Sequence, residues 1–133
     1  MIKIGVVGSR RRNSENDLQL LYKTIKEYID IYGLENIILV SGGCPKGADN
    51  FCEIIHNNLD FPKDMIIHYP DKSKLDPRLN YRAAYAVICY ERNTKIAEDS
   101  DILIAMVAPD RKGGTEDTIK KFKRYKKANP ILI

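Results

Sequence analysis

Short β-branched runs alternate along the chain with longer stretches in which apolar positions recur every three or four residues, so strands and helices are expected in turn. Ile2 to Val7, ended by Gly8-Ser9, has the character of a strand buried on both faces. Ser14 with Asp17 three residues on resembles a capping pair, and Leu18, Leu21, Tyr22, Ile25, Ile29 and Tyr32 follow at helical spacing up to Gly33. Asn36 to Ser41 reads as a second buried strand. A second helix is expected from about Gly47 to Asn58, with Ala48, Phe51, Cys52 and Ile55 inward. Met65 to Tyr69 reads as a third strand, followed by a long loop from Pro70 to Leu79, a length that often carries function. A third helix, about Asn80 to Glu98, places Tyr81, Tyr85, Ile88 and Ile96 on one stripe. Asp101 to Val107, Thr115 to Lys127 and Ile131 to Ile133 complete the set as strand, helix and strand. This alternation predicts an α/β fold, a three-layer α/β/α sandwich on a parallel, Rossmann-like sheet of about five strands.

The chain has 133 residues, of which 44% are hydrophobic and 30% charged, a balance that fits one globular domain over 1–133 and excludes a disordered or collagen-like chain. No apolar run approaches the length of a membrane span, so no membrane partner is expected. Cys44, Cys52 and Cys89 lack the spacing of a zinc site or a disulfide framework, and Cys52 and Cys89 read as small core residues. With no cationic leader ahead of a longer apolar segment, a cytoplasmic location is the default. The formal charge of +4 lies in the last helix: Lys120, Lys121, Lys123, Arg124, Lys126 and Lys127 outweigh Glu116 and Asp117, and the rest of the chain is balanced.

In parallel sheets ligands bind beyond the carboxyl ends of the strands. That rule selects the loops Gly8 to Asn13, Gly42 to Asp49, Pro70 to Leu79 and Ala108 to Thr115, three of them glycine turns whose N–H groups can face an anion. Gly5-Val-Val-Gly8 is not a dinucleotide fingerprint, and Gly42 and Gly47 are followed by Ala48-Asp49 rather than by the Lys-Ser/Thr of a P-loop. Ser9 and Arg10 stand where they can bond phosphate or ribose, whereas Arg11 and Arg12 read as a solvated turn. Arg92 falls on the apolar stripe of the third helix, where an inward guanidinium needs a carboxylate or phosphate partner: the readings are a ligand contact, an internal ion pair with Asp99 or Asp101, or a side chain that snorkels to solvent. Gly113-Gly114-Thr115-Glu116-Asp117 reads as a turn, a Thr N-cap and two acids in a first helical turn, and Asp49 has the same capping explanation. His56 and His68 have no ligand-spaced partner and Ser9 no His/Asp set, so neither a metal site nor a catalytic triad is expected.

In order along the chain, Gly8-Ser9-Arg10, Ser41-Gly42-Gly43-Cys44-Pro45-Lys46-Gly47-Ala48-Asp49, Arg92-Asn93 and Gly113-Gly114-Thr115 resemble the motifs of the SLOG superfamily, and most closely its YspA / cpYpsA-related branch. The superfamily also includes the DNA-processing protein DprA and the LOG phosphoribohydrolases. The resemblance covers essentially the whole chain. It implies a nucleotide or nucleotide-derivative site, with phosphate on the glycine loops and base or ribose near the first-strand loop and Arg92, no further cofactor, and self-association into an oligomer. In the LOG hydrolases a helix arginine is followed by Pro-Gly-Gly-X-Gly-Thr-X-X-Glu. Arg92 matches that arginine, but Thr118 stands where the glutamate belongs.

Three functions follow in order. The first is a nucleotide-binding or sensor domain. The second is a hydrolase of nucleotide N-glycosidic bonds, with Arg92 on phosphate or ribose and Glu116, Asp117 or Asp49 as acid/base. The third is DprA-like binding of single-stranded DNA through basic residues, with Tyr81 and Tyr85 as stacking groups if they are not core.

Overall fold

The computed structural model describes residues 1–133. Five parallel strands, β1 (Ile2–Gly8), β2 (Ile37–Ser41), β3 (Ile66–Ile67), β4 (Ile102–Met106) and β5 (Ile131–Leu132), lie in the order β3-β2-β1-β4-β5. Four helices connect them: α1 (Glu15–Tyr32), α2 (Ala48–Asn58), α3 (Tyr81–Asp99) and α4 (Gly114–Lys126). In β1 the side chains alternate between faces. Ile4 and Val6 join Leu21 and Ile25 of α1 and Phe51, Cys52 and Ile55 of α2 in one core, while Val7 joins Ile96 and Ala97 of α3 and Ile119 and Phe122 of α4 in the other. The result is the three-layer, Rossmann-like α/β sandwich expected from the pattern. No helix is long and apolar enough to cross a membrane.

The chain adds β2 and β3 on one side of β1, then returns to add β4 and β5 on the other, and the covering helices change face with the change of direction. This is what right-handed crossovers require. The loops that leave β1 and β4 therefore diverge to opposite faces and open a crevice between neighbouring strands.

Several boundaries differ from the pattern. Only Ile66 and Ile67 of the Met65 to Tyr69 run are strand, although the His68 amide still donates to the Ser41 carbonyl at 2.9 Å. An edge strand pairs on one side only, and this one ends where Tyr69 turns out to solvent. The Pro70 to Leu79 loop contains a short 3-10 turn at Lys72–Lys74, capped by Asp71. Tyr81, expected in the core, is 65% exposed and stacks on Tyr85 with ring centres 5.9 Å apart. The 19 residues of α3 run about 28 Å, whereas the five-residue strand β4 runs about 17 Å, so the first turn of the helix overhangs the sheet. Cys52 is buried as expected, but Cys89 is only partly so.

Candidate functional site

Between the ends of β1 and β4 lies a cavity of about 420 Å³. The β1 end supplies Gly8, Ser9, Arg10 and Arg11, the start of α4 supplies Gly113, Gly114, Thr115 and Thr118, and α3 supplies Cys89, Tyr90, Arg92, Asn93 and Ile96. Cys44 and Asp49 close the remaining side.

Arg92 is half-buried and forms no ion pair. Its Nη1 donates to the Gly42 carbonyl and its Nε donates to Asn93 Oδ1 at 3.1 Å. The internal alternatives considered for it are taken: Asp99 pairs with Lys3 at 2.7 Å and His68 at 2.9 Å, and Asp101 accepts the Lys3 amide at 2.9 Å. The guanidinium is thus fixed in the cavity wall with a carbonyl and an amide oxygen for partners and no carboxylate in contact. Asn93 extends the arrangement, since its Nδ2 donates to the Gly114 carbonyl and to Asp117 Oδ2, both at 3.3 Å. One side chain links Arg92 to the first turn of α4.

That first turn differs from the reading of Thr115 as N-cap. Gly113 is the cap, with φ 118, and no side chain caps α4. A left-handed φ at this position suits only glycine, and a Cβ there would meet nothing within 4 Å, so the helix start is open to the cavity. Of its leading N–H groups, that of Glu116 donates back to the Gly113 carbonyl at 3.2 Å, and those of Gly114 and Thr115 have no partner within the helix.

The β2–α2 loop behaves in the opposite way. Its amides, expected to face an anion, are used internally: Gly43 N donates to Ser41 Oγ at 3.3 Å, Cys44 N to Asp49 Oδ2 at 3.0 Å, and Gly47 N to Asn13 Oδ1 at 2.9 Å. Asp49 is the anion in this nest. Burial pushes its carboxyl above the usual range, against the Cys44 amide, the Arg92 charge and the Gly42 amide, which favour ionisation. Gly42 sits where Asp49 and Arg92 converge, with the position of a Cβ 2.6 Å from Arg92 Nη1 and 3.0 Å from Asp49 Oδ2.

No family model, curated protein or solved structure matches the chain. The site therefore rests on its geometry.

Of the residues singled out in the sequence, Gly8, Ser9, Arg10, Asp49, Arg92, Asn93, Gly113, Gly114 and Thr115 line the cavity. Gly42, Gly43, Lys46, Gly47 and Ala48 do not line it; Gly42, Gly47 and Ala48 are buried, Gly43 lies against Tyr69, and Lys46 is exposed. Glu116 and Asp117, the acids nearest the missing glutamate, are also outside: Glu116 pairs with Arg111 at 2.8 Å and Asp117 with Lys121 at 2.9 Å. The Pro70 to Leu79 loop contributes nothing to the lining.

Two arginines read as solvated have defined partners. Arg11 reaches across the mouth to Asp110 at 2.6 Å and lines the cavity. Arg12 is partly buried, pairs with Asp17 at 2.7 Å, and donates from Nη1 to the carbonyls of Val107 and Ile133, each at 2.9 Å. Sequence reasoning also missed Cys89 and Ile96 as lining residues. Their spacing of three and four residues from Arg92 was the available signal.

Proposed function

We propose that this cavity binds a nucleotide or nucleotide-derived small molecule and that the protein works as a ligand-binding or sensor domain. The observation that carries the reading is Arg92: a fixed, half-buried cation without a carboxylate in contact, linked by Asn93 to the uncapped start of α4. A guanidinium so placed suits a phosphate or another planar oxyanion, and helix N–H groups favour the same charge. Ser9, Arg10 and Thr115 add hydrogen-bonding groups for a sugar, and Val7, Ile96 and Tyr90 add apolar surface for a base. The motif order that resembles the SLOG superfamily agrees with this assignment.

Incubation with AMP, CMP, GMP, NAD and ADP-ribose, with thermal shift and chromatography of free base, tests it. At least one nucleotide is expected to raise the melting temperature, and Arg92→Ala to weaken its binding about tenfold or more, the usual worth of a charge-assisted hydrogen bond. A wild-type protein indifferent to every nucleotide overturns the reading.

One observation favours hydrolysis of an N-glycosidic bond as a second reading. Asp49 is the only carboxylate in the cavity lining, and its raised pKa suits proton transfer better than those of ordinary surface acids. In that reaction water adds its hydroxyl to the sugar carbon while the departing base takes a proton. Base released by the wild type and lost in Asp49→Asn supports it; binding without release excludes it.

A further inference from the structure

The cavity is electrostatically one-sided. Four cations line it, Arg10, Arg11, Arg92 and Lys112, against one carboxylate, Asp49. Asp110 neutralises Arg11 through contacts of 2.6 and 3.0 Å, and no acid pairs with the other three cations. Those three stand at two depths. Arg92 is half-buried and tied to the Gly42 carbonyl and to Asn93, whereas Arg10 and Lys112 are exposed on the loops that form the mouth. The paired Arg11 and Asp110 hold the Lys112 backbone in place: Asp110 Oδ1 accepts its amide at 3.1 Å, and Arg11 Nη2 donates to its carbonyl at 3.4 Å. The Lys112 ammonium itself has no partner. Arg10 faces the same space as Arg92, because both charges act on the Tyr85 hydroxyl, opposing the burial and the neighbouring Cys89 thiol that push it above its ordinary pKa.

We infer that the cavity takes a nucleoside diphosphate rather than a monophosphate, with the first phosphate on Arg92 and the second at the mouth, on Lys112 and Arg10. This rests on the nucleotide reading of the same site and adds the length of the phosphate chain. Near neutral pH a monophosphate brings roughly two negative charges and a diphosphate roughly three, and three cations here lack an acid. Position argues the same way. Arg92 is fixed at its depth by its hydrogen bonds, so a single phosphate against it leaves the two mouth cations without a counterion. A second phosphate carries the chain out to them. Arg10 keeps donors for the sugar, since a guanidinium has five. The concave setting sets the ligand apart from a lipid surface or an acidic protein: the inner cation lies within a cavity of about 420 Å³, in the range of small-molecule sites.

Calorimetric titration of the full chain in EDTA at fixed ionic strength, with AMP, CMP, GMP, their diphosphates, ADP-ribose and inorganic pyrophosphate, tests the inference. For the base that binds best, the diphosphate should bind about tenfold or more tightly than the monophosphate, the usual worth of an added charge-assisted hydrogen bond. Lys112→Gln should lower that ratio to about threefold or less. Lys23→Gln, an equal charge change at an exposed lysine outside the cavity, should preserve it. Arg92→Ala should weaken both nucleotides by similar factors. ADP-ribose, whose second phosphate is esterified and carries one charge fewer, should bind more weakly than ADP, and inorganic pyrophosphate more weakly than the preferred diphosphate. Monophosphate and diphosphate bound equally, a ratio that Lys112→Gln leaves unchanged, or ADP-ribose bound more tightly than ADP overturns this inference while the nucleotide reading stands. Pyrophosphate bound as tightly as any nucleotide, or no nucleotide bound at all, overturns both.

Discussion

At the scale of single residues, Gly42 decides more than its size suggests. Its carbonyl accepts the Arg92 guanidinium, and the space a side chain would fill is taken by Arg92 and Asp49. The nearest atom is the far end of a flexible side chain, so Gly42→Ala should displace Arg92 rather than unfold the protein. The expected result is nucleotide binding weakened about tenfold with a loss of stability near 1 kcal/mol, read by titration and urea denaturation on the same sample. A stability loss of about 3 kcal/mol or more, or unchanged nucleotide binding, would instead make Gly42 a packing residue. The sequence carried Arg92 well, because a guanidinium on an apolar stripe needs a reason. It carried Arg12 badly. Three consecutive arginines after a strand look alike in sequence, and only the fold shows that Arg12 turns inward to Asp17 and the Val107 carbonyl while Arg10 and Arg11 remain exposed.

At the scale of elements, the parts governed by local chemistry were legible and the parts governed by neighbours were not. The start of α1 is local: Ser14 Oγ accepts the Asp17 amide at 3.1 Å, and Asp17 Oδ2 accepts the Ser14 amide at 3.2 Å. Ser14→Ala should cost about 1 kcal/mol and lower the melting temperature by about 3 °C for a chain of this size, and Ser14→Asp should recover most of it. A thermal scan that does not move would mean that Arg12 alone holds Asp17 in place. Buried strands β1, β2 and β4 and the ends of α1 at Ser14 and Gly33 follow from spacing and capping. The edge strands do not, because how far β3 runs depends on where β2 stops offering partners. The start of α4 was misplaced for a related reason: Thr115 has the better capping side chain, but Gly113 has the conformation the turn requires. That shift leaves the helix start uncapped beside Arg92, a property of the site visible only once the elements are assembled.

At the scale of the whole molecule, carboxyl groups whose pKa values are shifted in opposite directions set how stability follows pH. Asp17 and Asp99 are pushed up by partial burial, yet hydrogen bonds from Arg12 and Ser14 to the first, and from Lys3 and His68 to the second, hold both below the ordinary range. Each stabilises the fold above its unfolded pKa of about 3.9, and this contribution is lost as pH falls through the lower folded value. Asp49 runs the other way. Its folded pKa is raised, so the folded state holds its proton more tightly than the unfolded chain does, and stability rises as pH falls through that value. Stability should therefore pass through a maximum on the acid side of neutrality and drop below about pH 4, with limiting slopes of about 1.4 kcal/mol per pH unit for each proton. Urea unfolding across pH measures the curve. Asp49→Asn should flatten its rise toward acid, and Asp17→Asn with Asp99→Asn should flatten the acid fall. If Asp49→Asn leaves the rise unchanged, the Asp49 carboxylate is not the group that Arg92 and the β2–α2 loop enclose at a cost. A bound phosphate ligand should sharpen the contrast: placed near Arg92, it adds negative charge beside Asp49, favours the protonated acid, and moves the maximum to higher pH.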